Sequence, residues 1–242
     1  MKRLIAIILL IPALCFGEAS RTFTGGTTNR VSPGNVHNVT TGNFTISAWF
    51  KGSENAANDG IIVKKRTISA ITAGYALYQN ATDNLSVFVA DGVATNGCSS
   101  GRDLDGQWTH ATFTWNGTSD APVLYENAVG ACITAVVAMG SLTNTFNFMI
   151  GNNGLGNEAA NGDIAHASFY NVVLNDWQRR EKMLKPDMPL KPNDTNFSHW
   201  PVWGQSGTNE KDWSTLNLTG SVSGTALSTD GPPVMLASGF PI

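Results

Sequence analysis

The chain has 242 residues, of which 42% are hydrophobic and 14% charged, and its formal net charge at pH 7 is −3. This hydrophobic content excludes a chain that is disordered through high charge and low hydropathy. Because there is no excess of basic residues, binding to nucleic acid has no electrostatic support, and the length suits one large all-β domain or two small ones.

The first 19 residues have the pattern of a secretory signal peptide. Lys2 and Arg3 precede an apolar run over residues 4–14, which as a helix would rise about 16 Å, roughly half of a bilayer core. Cleavage after Ala19 or after Gly17 would follow a small residue. An uncleaved anchor and a lipoprotein attached at Cys15 are the alternatives. We expect a secreted protein, extracellular or at the cell surface, with no membrane association once the peptide is removed.

Export would leave two cysteines, Cys98 and Cys132, in an oxidising compartment. Both lie in sequence rich in Gly, Ser and Asn, which favours a disulfide between them over two buried free thiols. Such a bridge would close a loop of about 35 residues, for which the chain-entropy treatment gives roughly 3–4 kcal/mol of stabilisation.

Short segments with alternating polarity follow along the chain and predict β-strands. The first places Phe44, Ile46, Ala48 and Phe50 on one face. An Asn-Gly pair at 116–117 is a strong hairpin signal. With turns at roughly 8–12-residue spacing, the pattern predicts an antiparallel sandwich. The predicted strands cover residues 43–51, 60–65, 75–79, 85–90, 108–115, 123–126, 146–150 and 164–170.

Proline divides the mature chain. Only Pro122 stands between Gly34 and Lys185, whereas seven prolines follow from Pro186 onward. Because proline is excluded from central strands, the first stretch can form continuous sheets and the second cannot easily do so. We predict one helix over residues 176–184, and an irregular tail over residues 185–242 whose anchors are Trp200, Trp203 and Trp213.

Several short phrases follow one another along residues 21–184. They are Gln107-Trp108-Thr109-His110 before Phe113, then Leu124-Tyr125, and then Gly162-Asp163-Ile164 before Tyr170-Asn171. In this order they resemble the laminin G-like domains of the concanavalin A-like lectin/glucanase superfamily, of the type common in secreted bacterial, phage and environmental sequences. One departure is that Tyr125-Glu126-Asn127-Ala128 stands where the family often has Tyr-Val-Asn-Gly.

The resemblance implies an all-β fold, an antiparallel two-sheet jelly-roll sandwich. The laminin G-like domain would occupy residues 20–184, with the tail over 185–242 packed on it. The family mostly supplies non-catalytic modules that bind glycans, adhere or interact. Since a fold does not settle a function, the chemistry of the residues is considered separately.

Sequence motifs for catalysis are weak, and we predict that the protein is not an enzyme. Hydrolases of this fold carry Glu-x-Asp-x-Glu on one strand, and none of the six glutamates stands in that pattern. Residues 97–101 match Gly-x-Ser-x-Gly, but a loop sequence follows where a nucleophile elbow requires a helix.

The resemblance also implies a calcium ion held by Asp and Asn oxygens at the rim of the sandwich, as hard cations prefer. The alternative is that these residues only form turns. Trp49 shares its strand face with polar residues, so it is either a sugar-stacking residue or a core residue. The ligand-binding candidates are Trp49, Asp91, Asn152 and Asn153, and the metal candidates are Asp59 and Asp163, with Asp91, Asn152 and Asn153 as further calcium ligands.

The other aromatic residues are interpreted as structural. We expect Trp108 and Trp115 in the core. We expect Trp177 to pack from the helix, and His110 to be a hydrogen-bonded sheet residue. The sequence therefore predicts a secreted, non-catalytic module that recognises a glycan or a surface protein through loops at one rim. A surface-coat or phage particle-decoration subunit is the alternative, and a glycan hydrolase a remote one. Neither oligomeric state nor ligand follows from the sequence.

Overall fold

The computed structural model describes residues 19–53, 60–65, 72–104, 106–117, 121–153, 158–186, 197–202 and 207–233. Asp59 and Trp203 therefore lie outside the described residues, and so does the predicted signal peptide except for Ala19. Within them are one helix, α1 (Asp176–Leu184), and sixteen strands. The strands are β1 (Ser20–Thr24), β2 (Arg30–Gly34), β3 (Phe44–Gly52), β4 (Gly60–Lys65), β5 (Gly74–Gln79), β6 (Asn84–Ala90), β7 (Thr95–Asp103), β8 (Trp108–Trp115), β9 (Val123–Glu126), β10 (Val129–Ile133), β11 (Phe148–Ile150), β12 (Asn161–Tyr170), β13 (Phe197–Trp200), β14 (Asn209–Lys211), β15 (Thr219–Ser223) and β16 (Ala226–Ser228).

Two antiparallel sheets form a sandwich, which confirms the predicted all-β class. The first sheet has the order β10-β9-β8-β3-β12-β1-β16, and β13 pairs with β12 beside this path. The second sheet has the order β14-β15-β2-β11-β4-β5-β6-β7. Neighbours that are distant in the chain, such as β3 and β12, come together in both sheets, as a jelly-roll requires.

The core lies between the sheets and follows the predicted alternation. Phe44, Ile46, Ala48 and Phe50 of β3 are fully buried on the inner face. The ring of Phe44 lies 4.8 Å from that of Tyr75, which belongs to the opposite sheet. Such aromatic contacts across the interface fill the space that short aliphatic side chains would leave.

The proline-rich segment differs from the irregular tail that was predicted. It contributes β13 and β16 to the first sheet and β14 and β15 to the second. The prolines do not interrupt these strands, because Pro201 follows β13, and Pro232 and Pro233 follow β16. The sandwich is therefore built from both predicted regions. Of the predicted anchors, Trp200 is buried in its core, whereas Trp213 is 50% exposed.

The helix occupies the predicted residues. Asn175 caps its N-terminus: its side chain accepts from the Gln178 backbone N–H, and the Gln178 side chain accepts from the Asn175 N–H. Its buried side carries Arg179, whose guanidinium lies 3.7 Å over the Tyr125 ring on the outer face of the first sheet. The predicted packing of Trp177 is wrong, since this side chain is 74% exposed. No helix in the described part of the chain is long and apolar enough to cross a bilayer.

The two long sides of the sandwich are closed by different bonds. The Cys98–Cys132 disulfide, as predicted, joins β7 of the second sheet to β10 of the first. On the other side, Arg21 of β1 forms a buried ion pair with Glu210 of β14, with 2.6 Å between Nη2 and Oε1. Both closures link the ends of the two sheets, and both limit the separation of the layers.

Candidate functional site

The outer face of the first sheet carries Trp49, but this face is covered. Trp49 is only 4% exposed, and its ring lies 5.3 Å from that of His110 on the neighbouring strand. The sequence allowed Trp49 to be either a sugar-stacking residue or a core residue, and the structure shows it packed and buried. Trp115 lies in the core as predicted, whereas the prediction for Trp108 is wrong. Trp108 sits at the end of this outer face, half-buried, and its Nε1–H donates to Asp230.

Three histidines are buried in the same layer. The rings of His166 and His199 stack with 5.6 Å between their centroids, and His199 Nδ1 lies 2.7 Å from the Ser168 hydroxyl. Burial, together with the nearby His166 and Lys182, lowers the pKa of His110 to about 3. His110 is therefore neutral in the folded protein, which suits the structural role that the sequence predicted.

This burial predicts a pH-dependent stability. In the unfolded chain His110 titrates near the ordinary histidine pKa of 6.5. Between pH 6.5 and about 3, His110 is therefore protonated in the unfolded chain and neutral in the folded one. The contribution of His110 is fully present above pH 6.5 and is lost as the pH falls, by up to about 1.4 kcal/mol per pH unit. His110→Gln should flatten this slope, measured by urea unfolding at several pH values from 7 to 4. Equal slopes in the two proteins would contradict the assignment.

The predicted rim residues are not gathered in one place. Asp91 Oδ1 accepts the backbone N–H groups of Val93 and Ala94, and its Oδ2 accepts that of Gly140. Hydrogen bonds from Ala94 and Gly140 lower the pKa of Asp91. Its carboxylate thus holds a turn, which is the alternative role that the sequence allowed.

The remaining candidates lie far from Asp91. Asn152 and Asn153 are buried beyond β11, at the end of the second sheet opposite to Asp91, and Asn152 donates to the Gly26 and Thr27 carbonyls. Asp163 accepts from the Thr22 hydroxyl on the first sheet. Among the residues that the structure describes, no group of three or more His, Cys, Asp or Glu side chains could hold a metal ion.

A partly exposed aromatic surface lies instead on the outer face of the second sheet. Strand register places Tyr78, Ser86 and Ser99 in one row across β5, β6 and β7. The next row is Ala76, Phe88 and Gly97. The Tyr78 and Phe88 rings are thus diagonal neighbours, close enough for one ligand to meet both.

Small neighbours leave part of the Tyr78 and Phe88 side chains exposed. Phe88 stands between Ala76 and Gly97, and no side chain fits at 97, because a Cβ there would lie 2.3 Å from the Val87 carbonyl oxygen. A depression of about 390 Å³ follows, within the usual size of small-ligand sites. We call this surface, formed by Tyr78, Phe88, Ser86, Ser99 and Asn80, the aromatic face.

Polar groups beside the rings are held in a fixed network. The Ser86 and Ser99 hydroxyl oxygens lie 2.6 Å apart. The Asn80 side-chain amide donates to both, at 3.1 Å and 3.3 Å. None of the described residues that line the depression carries a charge. The surface therefore offers aromatic ring faces together with neutral donors and acceptors, which suits an uncharged polar ligand with an apolar side.

Sequence reasoning placed Tyr78 and Phe88 in strands but did not single them out. Each lies on the outward positions of its strand, where a polar residue is the ordinary expectation. An outward aromatic residue flanked by Ala and Gly on adjacent strands is the available signal, and it becomes visible only when the register is known.

Comparisons with known proteins agree with this architecture. The sequence profile of the family described as the concanavalin A-like lectin/glucanases superfamily matches residues 24–178. No curated protein sequence matches the chain.

Three solved structures are similar in fold. A Bacteroides ovatus protein proposed to bind carbohydrate has a TM-score of 0.68 and 15% identity over 90% of this chain, which spans only 61% of that protein. A heptameric SAP-like pentraxin of Limulus polyphemus has a TM-score of 0.59 and 13% identity, over 89% of this chain and 97% of that one. Domain 4 of the extracellular arabinanase of Geobacillus stearothermophilus, solved with arabinotriose, has a TM-score of 0.50 and 17% identity, over 67% and 75%.

Identities this low show the fold alone. The profile, however, covers more than half of the chain, and the two antiparallel sheets have the expected arrangement. The chain therefore belongs to the concanavalin A-like lectin/glucanase superfamily, as a laminin G-like domain.

Proposed function

We propose that the protein is a non-catalytic module that binds a neutral carbohydrate on the aromatic face. The observation that carries the proposal is the depression lined by the partly exposed rings of Tyr78 and Phe88, beside the Ser86–Ser99–Asn80 network. The C–H face of a pyranose is apolar and stacks on aromatic rings, while its hydroxyl groups exchange hydrogen bonds with neutral side chains.

The chemistry of the lining residues supports binding rather than turnover. Glycoside hydrolysis requires two carboxyl groups that flank the scissile bond, and none of the lining residues that the structure describes is acidic. The uncharged character of these residues also favours a neutral glycan over an acidic one. The Bacteroides protein proposed to bind carbohydrate, and the arabinanase domain solved with arabinotriose, add support from the same fold.

Secretion is part of the proposal. The Cys98–Cys132 disulfide suits an oxidising compartment, and the predicted signal peptide would deliver the chain there. The partner of a secreted module would be a glycan at a cell surface, either free or attached to a surface protein.

The test is binding to an array of neutral polysaccharides, with affinity measured for the best ligand. Tyr78→Ala and Phe88→Ala should each weaken binding about tenfold or more, because loss of one stacked ring is worth about 0.5–1.5 kcal/mol beyond its buried area. Trp177→Ala is the matched control, since it removes an exposed aromatic ring from the helix. Urea unfolding would verify that each variant is folded.

Three outcomes would count against the aromatic face: no neutral glycan binds, Tyr78→Ala binds as wild type does, or only Trp177→Ala weakens binding. Calcium is expected to have no effect on this face, because its lining residues offer no carboxylate. Repeating the array with millimolar calcium and with EDTA checks this. If glycan binding strictly requires calcium, the binding site would instead be formed by the rim residues.

A further inference from the structure

A second groove lies on the side of the sandwich that the disulfide closes. It has a volume of about 320 Å³ and separates β7 of the second sheet from the β9–β10 hairpin of the first. Cys98 and Cys132 hold these two edge strands together beside it. We call it the edge groove, and the residues that matter in it are Ser100, Arg102, Glu126, Asn127, Val129 and Ala131.

Both walls of the edge groove are interrupted strands. On β7, three residues, 100–102, face Leu85 alone, because Ser99 pairs with Ser86 and Asp103 with Asn84. On β10, Ala131 is the extra residue between two paired positions. Bulges of this kind bend an edge strand and re-aim its side chains, and they occur often beside functional sites.

The hairpin that forms one wall is rigidly attached to the sheet. Asn127 and Ala128 both have positive φ, 49° and 63°, as a two-residue hairpin turn requires. The Asn127 N–H donates to the His110 carbonyl, and its side-chain oxygen accepts the His110 N–H. The turn therefore fixes the position of Glu126, which together with Ala128 departs from the family pattern.

Glu126 has an unused hydrogen-bonding capacity. It occupies an inward position, opposite Ala111 in the register, and is only 9% exposed. Its Oε1 has no hydrogen-bond partner among the described residues. A buried carboxylate oxygen without a donor is costly, so the site favours a ligand that supplies one.

Arg102 lies opposite this carboxylate, and the two side chains are close but form no hydrogen bond. Its Nη1 lies 3.7 Å from Glu126 Oε2, beyond hydrogen-bond distance. Its Nη2 donates to the Gln107 side chain. An anion entering the groove would face Glu126, and a cation would face Arg102. A neutral group that donates to one and accepts from the other satisfies both.

We propose that the edge groove is a second carbohydrate site, which takes two adjacent hydroxyl groups of a neutral pyranose. One hydroxyl donates to the Glu126 carboxylate, and its neighbour accepts from the Arg102 guanidinium. The apolar face of the ring lies against Val129 and Ala131, of which Val129 is largely exposed. The site shares a ligand class with the aromatic face but none of its residues.

The test is residue-resolved titration by amide correlation NMR with methyl pyranosides of glucose, mannose and galactose at millimolar concentrations. At least one probe should shift the amides of Arg102, Asn127 and Gly130. Glu126→Gln and Arg102→Gln should each weaken that effect tenfold or more, as expected for hydrogen bonds to charged groups. Removal of the bound hydroxyl in a deoxy analogue of the best probe should have a similar effect. Tyr78→Ala should leave these shifts unchanged.

The outcomes separate the two sites. Shifts at the edge groove alone support this proposal and count against the aromatic face. Shifts at the aromatic face alone, or at neither place, overturn this proposal. Shifts at the groove that survive in both Glu126→Gln and Arg102→Gln also overturn it, because the two side chains would then play no part. Since Arg102 is exposed, its variant stays informative even if Glu126→Gln does not fold.

Discussion

Replacing Glu210 with alanine is expected to lower the free energy of unfolding by about 3–5 kcal/mol. Arg21 and Glu210 have side chains that are 1% and 0% exposed, and the Arg21 Nε–H and Nη2–H groups both donate to Glu210 Oε1, at 3.1 Å and 2.6 Å. The variant would leave the Arg21 guanidinium buried without its anion. The hydrogen bond from Nη1 to the Thr225 hydroxyl does not supply a negative charge in place of Glu210.

The matched control is the exposed ion pair between Lys51 and Asp230, whose side chains are 31% and 47% exposed. Lys51→Ala should cost less than about 1 kcal/mol, because water and salt screen such a pair. Urea unfolding of both variants in the same buffer makes the comparison. If the two losses are equal, the buried pair is not the closure that its geometry indicates.

Removing the disulfide should have the second-largest effect. Cys98 and Cys132 are 34 positions apart, and a loop of this length corresponds to about 3–4 kcal/mol in the chain-entropy treatment. We expect the double variant Cys98→Ser/Cys132→Ser to lose about this much stability in urea unfolding. Wild-type protein with a thiol reductant should lose a similar amount, whereas the reductant should not affect the double variant.

The double variant also tests the link between the disulfide and the edge groove. Because the bridge joins the two strands that form the groove walls, its loss should weaken pyranose shifts at Arg102 more than those at Tyr78. Full stability without the bridge would contradict the predicted stabilisation. Unchanged shifts at Arg102 would show that the bulges and the hairpin turn are sufficient to hold the groove.

The proline-rich tail shows where sequence reasoning is limited. Its prolines predicted irregular structure, yet β15 pairs with β2, and Ser221 faces Ser32. The partners are far apart in the chain, so no local pattern identifies the pairing. Proline counts describe a whole segment, whereas exclusion from a strand acts at single positions, and the strands here lie between the prolines.

The aromatic residues of the two outer sheet faces show the same limit. Trp49 lies on a polar strand face that the sequence left open to either role, and it is buried in a layer that also holds His110 and His166. Tyr78 and Phe88 have no distinctive local pattern, and Phe88 is partly exposed with Gly97 and Ala76 beside it in the register. Which aromatic rings meet water is thus a property of the assembled sheets.

The amino-acid sequence was sufficient to predict the all-β sandwich, the helix over residues 176–184 and the Cys98–Cys132 bridge. The sandwich follows from the short-range alternation of polarity, the helix from the cap beside it, and the bridge from the small number of cysteines. The pairing of Arg21 with Glu210, the approach of Arg102 to Glu126 and the aromatic face arise only in the folded protein. They depend on strand register and on which segment covers each sheet, and both result from contacts between residues that are distant in the chain.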